Sequence, residues 1–246
     1  MKWIFVLLFF VCSLKTFSQI ESRIKPVKVD PSTMVVKDSS GTVYAKDIWQ
    51  KLLVKGRYTL KKTSKENSNE YLLVRLSDEQ YEKRKQNMPK PTESKYFKTG
   101  DKFFALIARD IDGKKVNTKK MSGQILVINF WFTTCAPCIQ EIPELNELTE
   151  QYKNDSLVNF IAVGLEDRGK IEDFLLDHPF NYRIVHEGKD IVPLYGIRSY
   201  PTHVVVTPEG KVYFHTSGYG PGTVHWIKKS IEELKAKITA EATTVN

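Results

Sequence analysis

Cysteine is scarce in this chain: three residues in 246. A fold stapled by disulfides would carry several, widely spaced, so that framework is excluded. Histidine is sparse too. His178, His186, His203, His215 and His225 are scattered, and there is no second cysteine pair, so a zinc site lacks its ligands and no metal is expected. Beyond residue 14 no stretch is long and apolar enough to cross a bilayer, which takes ~20 residues. An excess of positive charge is missing from the C-terminal part. Residues 99–246 hold 17 Lys or Arg against 19 Asp or Glu, while residues 51–98 hold 13 against 6, so the net +8 belongs to the N-terminal half. We read that half as a lysine-rich solvated surface, with an anionic lipid or acidic partner as the alternative. With no base-stacking motif, no nucleic-acid partner is expected.

At the N-terminus, Lys2 is a short positive segment and Trp3 to Leu14 an apolar run of 12 residues. Thr16 and Ser18 supply small residues at the −3 and −1 positions of a cut after Ser18. This predicts a secretory signal peptide over 1–18, with an uncleaved anchor as the alternative. Val11, before Cys12, is not the small residue that lipidation requires. The expected mature protein is soluble, lies in the periplasm or cell envelope, and keeps only Cys135 and Cys138. So close a pair closes too small a loop to stabilise the fold much, which points to reactivity instead.

Between residues 19 and 84 the pattern predicts a small α+β module of unassigned role. Met34 to Val36 reads as a strand. Asp47 to Val54 reads as a helix capped by Asp47 and ended by Gly56, with Ile48, Trp49, Leu52 and Leu53 as its apolar stripe. Arg57–Leu60 and Tyr71–Leu76 read as two further strands, and Ser77 to Gln86 as a charged helix. Residues 85–98, containing Pro89 and Pro91, read as a linker.

From residue 99 to 240 strands and helices alternate. Strands are expected at Phe103–Ala108, Ile125–Trp131, Leu157–Gly164 and Tyr182–Val185, then a hairpin at His203–Thr207 and Lys211–His215. Helices are expected from Pro137, over Lys170–Leu176 and over Thr223–Ala240, with a helical turn at Asp190–Tyr195 and a tail over 241–246. This is a three-layer α/β domain with a central mixed sheet. The apolar run at Ile125 has the continuous character of a strand buried on both faces.

Cys135 and Cys138 fall where that strand turns into a helix. Thiol–disulfide exchange needs a thiolate, and a helix N-terminus stabilises the anion. Cys135 is therefore expected to be the exposed nucleophile. Cys138, one turn along, is placed to attack the mixed disulfide. Glu141 lies on the same helix face as Cys138. Buried, it would exchange a proton with that thiol; exposed, it would be a first-turn glutamate favoured by the helix dipole. Ile139 stands where covalent haem attachment needs histidine.

Trp131 four residues before Cys135, the Cys-x-x-Cys with Pro137 at its third position, and the later Pro201-Thr202 together resemble thioredoxin, over roughly residues 97–240. Three details resemble more closely the TlpA/ResA-like branch of exported thioredoxin-fold proteins. Asn129 replaces a buried aspartate of thioredoxin, Glu141 and Pro143 follow the second cysteine, and a Gly-Lys turn and a strand opened by Gly123 precede the motif. The resemblance implies a thioredoxin-like three-layer sandwich, and a cis bond before Pro201, facing the disulfide. It also implies that the backbone of Tyr200 pairs with substrate. Phe132 stands where a peroxiredoxin would carry Thr or Ser. The implied activity is reduction of disulfides in exported client proteins, fed by a transmembrane thiol-electron donor. The redox-active Cys135–Cys138 disulfide would be the only redox group, with no cofactor. A disulfide-donating oxidase and a non-catalytic peptide-binding module remain the alternatives.

Overall fold

The computed structural model describes residues 30–54, 56–63 and 69–244. The expected signal peptide, part of the loop between residues 61 and 70, and the end of the tail lie outside them.

The N-terminal strands β1 (Val35–Lys37) and β2 (Val43–Tyr44) are followed by α1 (Lys46–Val54), β3 (Tyr58–Lys62), β4 (Glu70–Arg75) and α2 (Asp78–Gln86). They form a four-stranded sheet in the order β2-β1-β4-β3, in which β1 runs parallel to β4. The two-residue β2 is too short to read from alternation. It forms because the Asp38 carboxylate accepts the amides of Ser40 and Thr42 at 2.9 and 3.0 Å, closing the turn that folds the chain back on β1. Val36, Trp49 and Leu73 make the small core. Asp47 is not the cap of α1; it sits inside the first turn, whose opening amides bond to the Ala45 carbonyl. The apolar stripe of α1 also splits. Trp49 is buried in the sheet, whereas Ile48 is 43% exposed and turns with Leu52 and Val54 toward Ile139 and Pro143 of the next domain. Helix α2 opens with a capping box between Ser77 and Gln80.

The proline-containing stretch after α2 is packed along its length. The Met88 carbonyl accepts the Trp226 indole N–H at 3.1 Å, and the Thr92 carbonyl accepts the Thr216 hydroxyl at 2.9 Å. The buried Ser94 hydroxyl meets His215 Nδ1 at 3.1 Å.

The larger domain begins with a hairpin, β5 (Ile107–Arg109) and β6 (Lys115–Asn117). Only the end of the expected Phe103–Ala108 strand is a strand. Residues 103–106 instead bond outward, with the Phe103 amide on Gly210 and the Leu106 amide on the Thr118 hydroxyl. There follow β7 (Ile125–Trp131), α3 (Ala136–Gln151), β8 (Val158–Gly164), α4 (Arg168–Asp177), β9 (Arg183–Val185), β10 (Thr202–Val206), β11 (Val212–Ser217) and α5 (Thr223–Thr244). The sheet order is β11-β10-β7-β8-β9, with β7, β8 and β9 parallel and β10 antiparallel to both neighbours. Every residue of β7 is buried, as its unbroken apolar run requires. Ile125, Val127 and Trp131 pack into one core with residues of α3, α4 and α5. Leu126, Ile128 and Phe130 pack into the other with Phe103, Leu106, Val116 and Tyr195. The third layer is thus a hairpin and 3₁₀ turns (Thr118–Met121 and Val192–Tyr195) rather than long helices.

Candidate active site

Four residues separate the end of β7 from α3, and Cys135 is the N-cap of that helix. Its sulfur accepts the Cys138 backbone N–H at 3.3 Å, so it lies on the unsatisfied amides of the first turn. Pro137 sits in that turn, where a missing N–H costs nothing. Cys135 and Cys138 are joined in a disulfide, with Cα atoms 5.2 Å apart.

Cys135 is not the exposed residue that the sequence suggests: it is 4% exposed and Cys138 1%. Strand direction explains this. Because β10 runs antiparallel to β7 and pairs Thr202 with Phe130, the start of β10 lies beside the turn that carries the cysteines. The Tyr200–Pro201 bond is cis. Pro201 is buried, and the half-buried Tyr200 ring meets Phe132 edge-on at 5.3 Å and joins the core that includes Cys135. Burial holds the Tyr200 phenol above its ordinary pKa, with a smaller push from Tyr96.

Behind the disulfide lies a polar cluster. Glu141 is past the first turn of α3 and 0% exposed, so it is not a surface glutamate on the helix dipole. Asn129, on the same face of β7 as Trp131, donates from Nδ2 to Glu141 Oε1 at 3.0 Å. His203 Nε2 lies 2.9 Å from Glu141 Oε2, and His203 is also 0% exposed. The β7–β10 register sets Asn129 and His203 directly opposite each other, both turned toward α3. Burial, and secondarily the charge of Glu141, pushes the Tyr182 phenol well above its usual range. Tyr219 is raised too, by burial and then by Glu144, with a further contribution from Glu141.

Sequence reasoning placed Asn129, Glu141, Tyr200 and Pro201 near the cysteines and missed two residues. It left His203 among the scattered histidines, although a histidine opening a run of buried valines was a usable signal. It also missed Glu166. That side chain, at the C-terminal end of β8, is buried and accepts both the backbone N–H and the hydroxyl of Thr133 at 3.1 and 2.9 Å. It thereby holds the turn two residues before Cys135. Trp131 is wholly buried, against Phe174 and Phe180 at ring distances of 5.2 and 5.6 Å, and backs the site from within the core. Among the described residues, no group of three or more His, Cys, Asp or Glu side chains is arranged to hold a metal ion.

Residues 99–215 match the AhpC/TSA family. The thiol-disulfide oxidoreductase ResA of Bacillus thuringiensis subsp. konkukian is 30% identical over 135 residues, which are 54% of this chain and 74% of that protein. The chain belongs to the ResA family of thiol-disulfide oxidoreductases. ResA of Halalkalibacterium halodurans is 27% identical over 148 residues, 59% of this chain and 80% of its own. Among solved structures, a Chlorobium tepidum protein assigned as the thiol:disulfide interchange protein DsbE superposes with a TM-score of 0.52 at 26% identity, covering 56% of this chain and 98% of its own. The AhpC/TSA match begins at Thr99, so the four-stranded sheet and α2 lie outside it. Among the described residues no helix is long and apolar enough to cross a membrane.

Proposed function

We propose that this protein reduces disulfides in exported client proteins, working in the periplasm or cell envelope as a soluble domain after removal of residues 1–18. The observation that carries the reading is the Cys135–Cys138 disulfide at the N-terminus of α3 with the buried Glu141 carboxyl behind it. In the reduced protein the Cys135 thiolate is stabilised by the first-turn amides and attacks a client disulfide. The client sulfur that leaves takes a proton, and Cys135 is held in a mixed disulfide. Cys138 then gives up its proton, with Glu141 as the acceptor, and its sulfur attacks Cys135 Sγ. The Cys135–Cys138 bond forms, the bond from Cys135 to the client breaks, and two electrons have passed to the client. The Tyr200 backbone, fixed by Pro201, pairs with the client chain as an added strand. Asn129 and Trp131 hold the reacting groups in place. No cofactor is needed, because the dithiol carries the electrons. A transmembrane thiol-electron donor restores it.

Two measurements test this. Cys138→Ser should accumulate a mixed disulfide in which disulfide-bearing clients are trapped at Cys135, and Cys135→Ala should trap none and lose insulin reduction. Equal turnover by Cys135→Ala would sink dithiol catalysis. The reduction potential of the pair should lie at or below about −250 mV, near thioredoxin; a value near −120 mV would make the protein a disulfide donor instead.

A further inference from the structure

His203 has no part in the steps above, yet it is as fully enclosed as Glu141, both at 0% exposure. Its Nε2 is 2.9 Å from Glu141 Oε2, while Asn129 Nδ2 donates to Oε1 at 3.0 Å, so each carboxyl oxygen has its own nitrogen partner. Among the described residues, His203 Nδ1 is buried without a hydrogen-bond partner. A neutral imidazole carries one N–H and one lone pair. Donating from Nε2 to a carboxylate leaves the lone pair at Nδ1, whereas an imidazolium would bury an unmet N–H there. The unpartnered Nδ1 thus favours a carboxylate bonded to a neutral imidazole, an arrangement with room for one proton. Once that proton arrives the pair is electrically neutral, whether as acid and imidazole or as carboxylate and imidazolium.

Such a store is what Cys138 lacks. At 1% exposure it has almost no access to water, and a thiol there cannot become a thiolate without a neighbouring group to take its proton. Glu141 lies three positions along α3 on the same face, the spacing at which helix side chains meet. The other groups facing the pair are the Tyr182 and Tyr219 phenols, both raised by burial. Thr216 stands opposite His203 on β11. Among the described residues, no Lys or Arg lies within ion-pair distance of Glu141, leaving His203 as its one basic partner.

We propose that His203 is a positioning residue for the Cys138 half-reaction: bonded to Glu141, it lets the buried carboxyl take the Cys138 proton and hand it back when the disulfide is reduced. The inference rests on Cys138 acting as the resolving thiol. In resolution the proton moves from Cys138 Sγ to the Glu141–His203 pair, and the electron pair left on sulfur forms the bond to Cys135. The client thiolate departs and is protonated by solvent. In re-reduction by an external dithiol, Cys138 leaves as a thiolate and recovers the proton from the pair.

The test needs no substitution at first. The imidazole carbons of His203 are followed by NMR across pH in the full-length protein, oxidised and after reduction with excess dithiothreitol. The expected result is a titration midpoint that differs between the two states by about half a pH unit or more, with the difference abolished in Glu141→Gln. Identical midpoints in both states would overturn the proposal. In a second arm, His203→Gln should slow release of client thiol from the mixed disulfide by about tenfold to a hundredfold. It should also move the pH profile of that step, with the initial attack by Cys135 changed less than twofold. A release profile that superimposes on wild type would overturn it as well. Failure of the wild-type protein to reduce insulin at any pH would refute the functional reading instead, and the redox-linked titration would still report on the pair.

Discussion

Asn129→Asp should convert the buried cluster into a proton trap and make stability fall as pH rises. The substitution keeps size and shape but sets a second carboxyl where Asn129 now donates to Glu141 at 3.0 Å. Two unit charges at that distance repel by about 5 kcal/mol at an effective dielectric constant near 20. That equals about four pH units, at 1.36 kcal/mol each. The two carboxyls therefore cannot both ionise, and near neutral pH the folded variant binds one proton more than folded wild type. Whether that proton sits on a carboxyl or on His203 does not alter the count. In the unfolded chain the new aspartate is ionised above about pH 4 and adds no bound proton. The sign follows: the variant's stability relative to wild type declines by about 1.4 kcal/mol for each pH unit between roughly 5 and 8. Urea unfolding of both proteins, oxidised, at pH 5, 6, 7 and 8 measures it. A difference that stays constant across this range would refute the reasoning, because it would mean that the two groups do not share a dry site.

Two further substitutions test the surrounding frame. Asp110 ties the β5–β6 hairpin to β9: it accepts Arg183 Nε at 2.6 Å and the Lys114 amide at 2.8 Å. Burial acts to raise its pKa but is outweighed by these hydrogen bonds, so its carboxyl titrates below the ordinary aspartate value. Its stabilisation is present above about pH 4 and is lost as pH falls through the lower folded value. Asp110→Asn should cost about 1–3 kcal/mol at pH 7 and flatten the acid limb of the unfolding profile; an unchanged acid limb would contradict this. Gly188→Ala would set a Cβ 2.6 Å from the Gly164 carbonyl oxygen, which is backbone and cannot swing aside. It should destabilise by about 2–3 kcal/mol in urea melts, and a loss below about 0.5 kcal/mol would show that the two segments separate easily.

The larger domain was legible because its signals are local. The unbroken apolar run of β7 marks a central strand, and the cysteines and Pro137 mark a helix start at its end. The alternation that follows leaves few topologies. Apart from β2, a two-residue strand held by a local turn, what escaped was set by long-range partners. β2 exists because one aspartate closes a turn. Residues 103–106 are irregular because their amides find Gly210 and Thr118. Glu166 belongs to the site only because β8 lies beside β7 in parallel, which brings its end level with Thr133. Cys135 was expected at the surface because a helix N-cap usually is; the cover comes from residues 200 and 201, far along the chain. Glu141 was readable as a candidate acid from its spacing, but its imidazole partner could be named only from the β7–β10 register.

That register also acts as the site's ruler. Thr202 lies opposite Phe130 and His203 opposite Asn129, so the cysteine turn and the Tyr200–Pro201 corner are measured from one ladder of hydrogen bonds. The intervening 60-odd residues, from α3 through β9 to the turn at Tyr195, do not enter the measurement. Extra chain inserted in their surface connections would enlarge the protein without moving sulfur relative to proline. A slip of the ladder by two residues, about 7 Å of strand, would leave every inward face inward and still pull the two halves of the site apart. Tolerance of length and intolerance of register are then two outcomes of the same pair of strands.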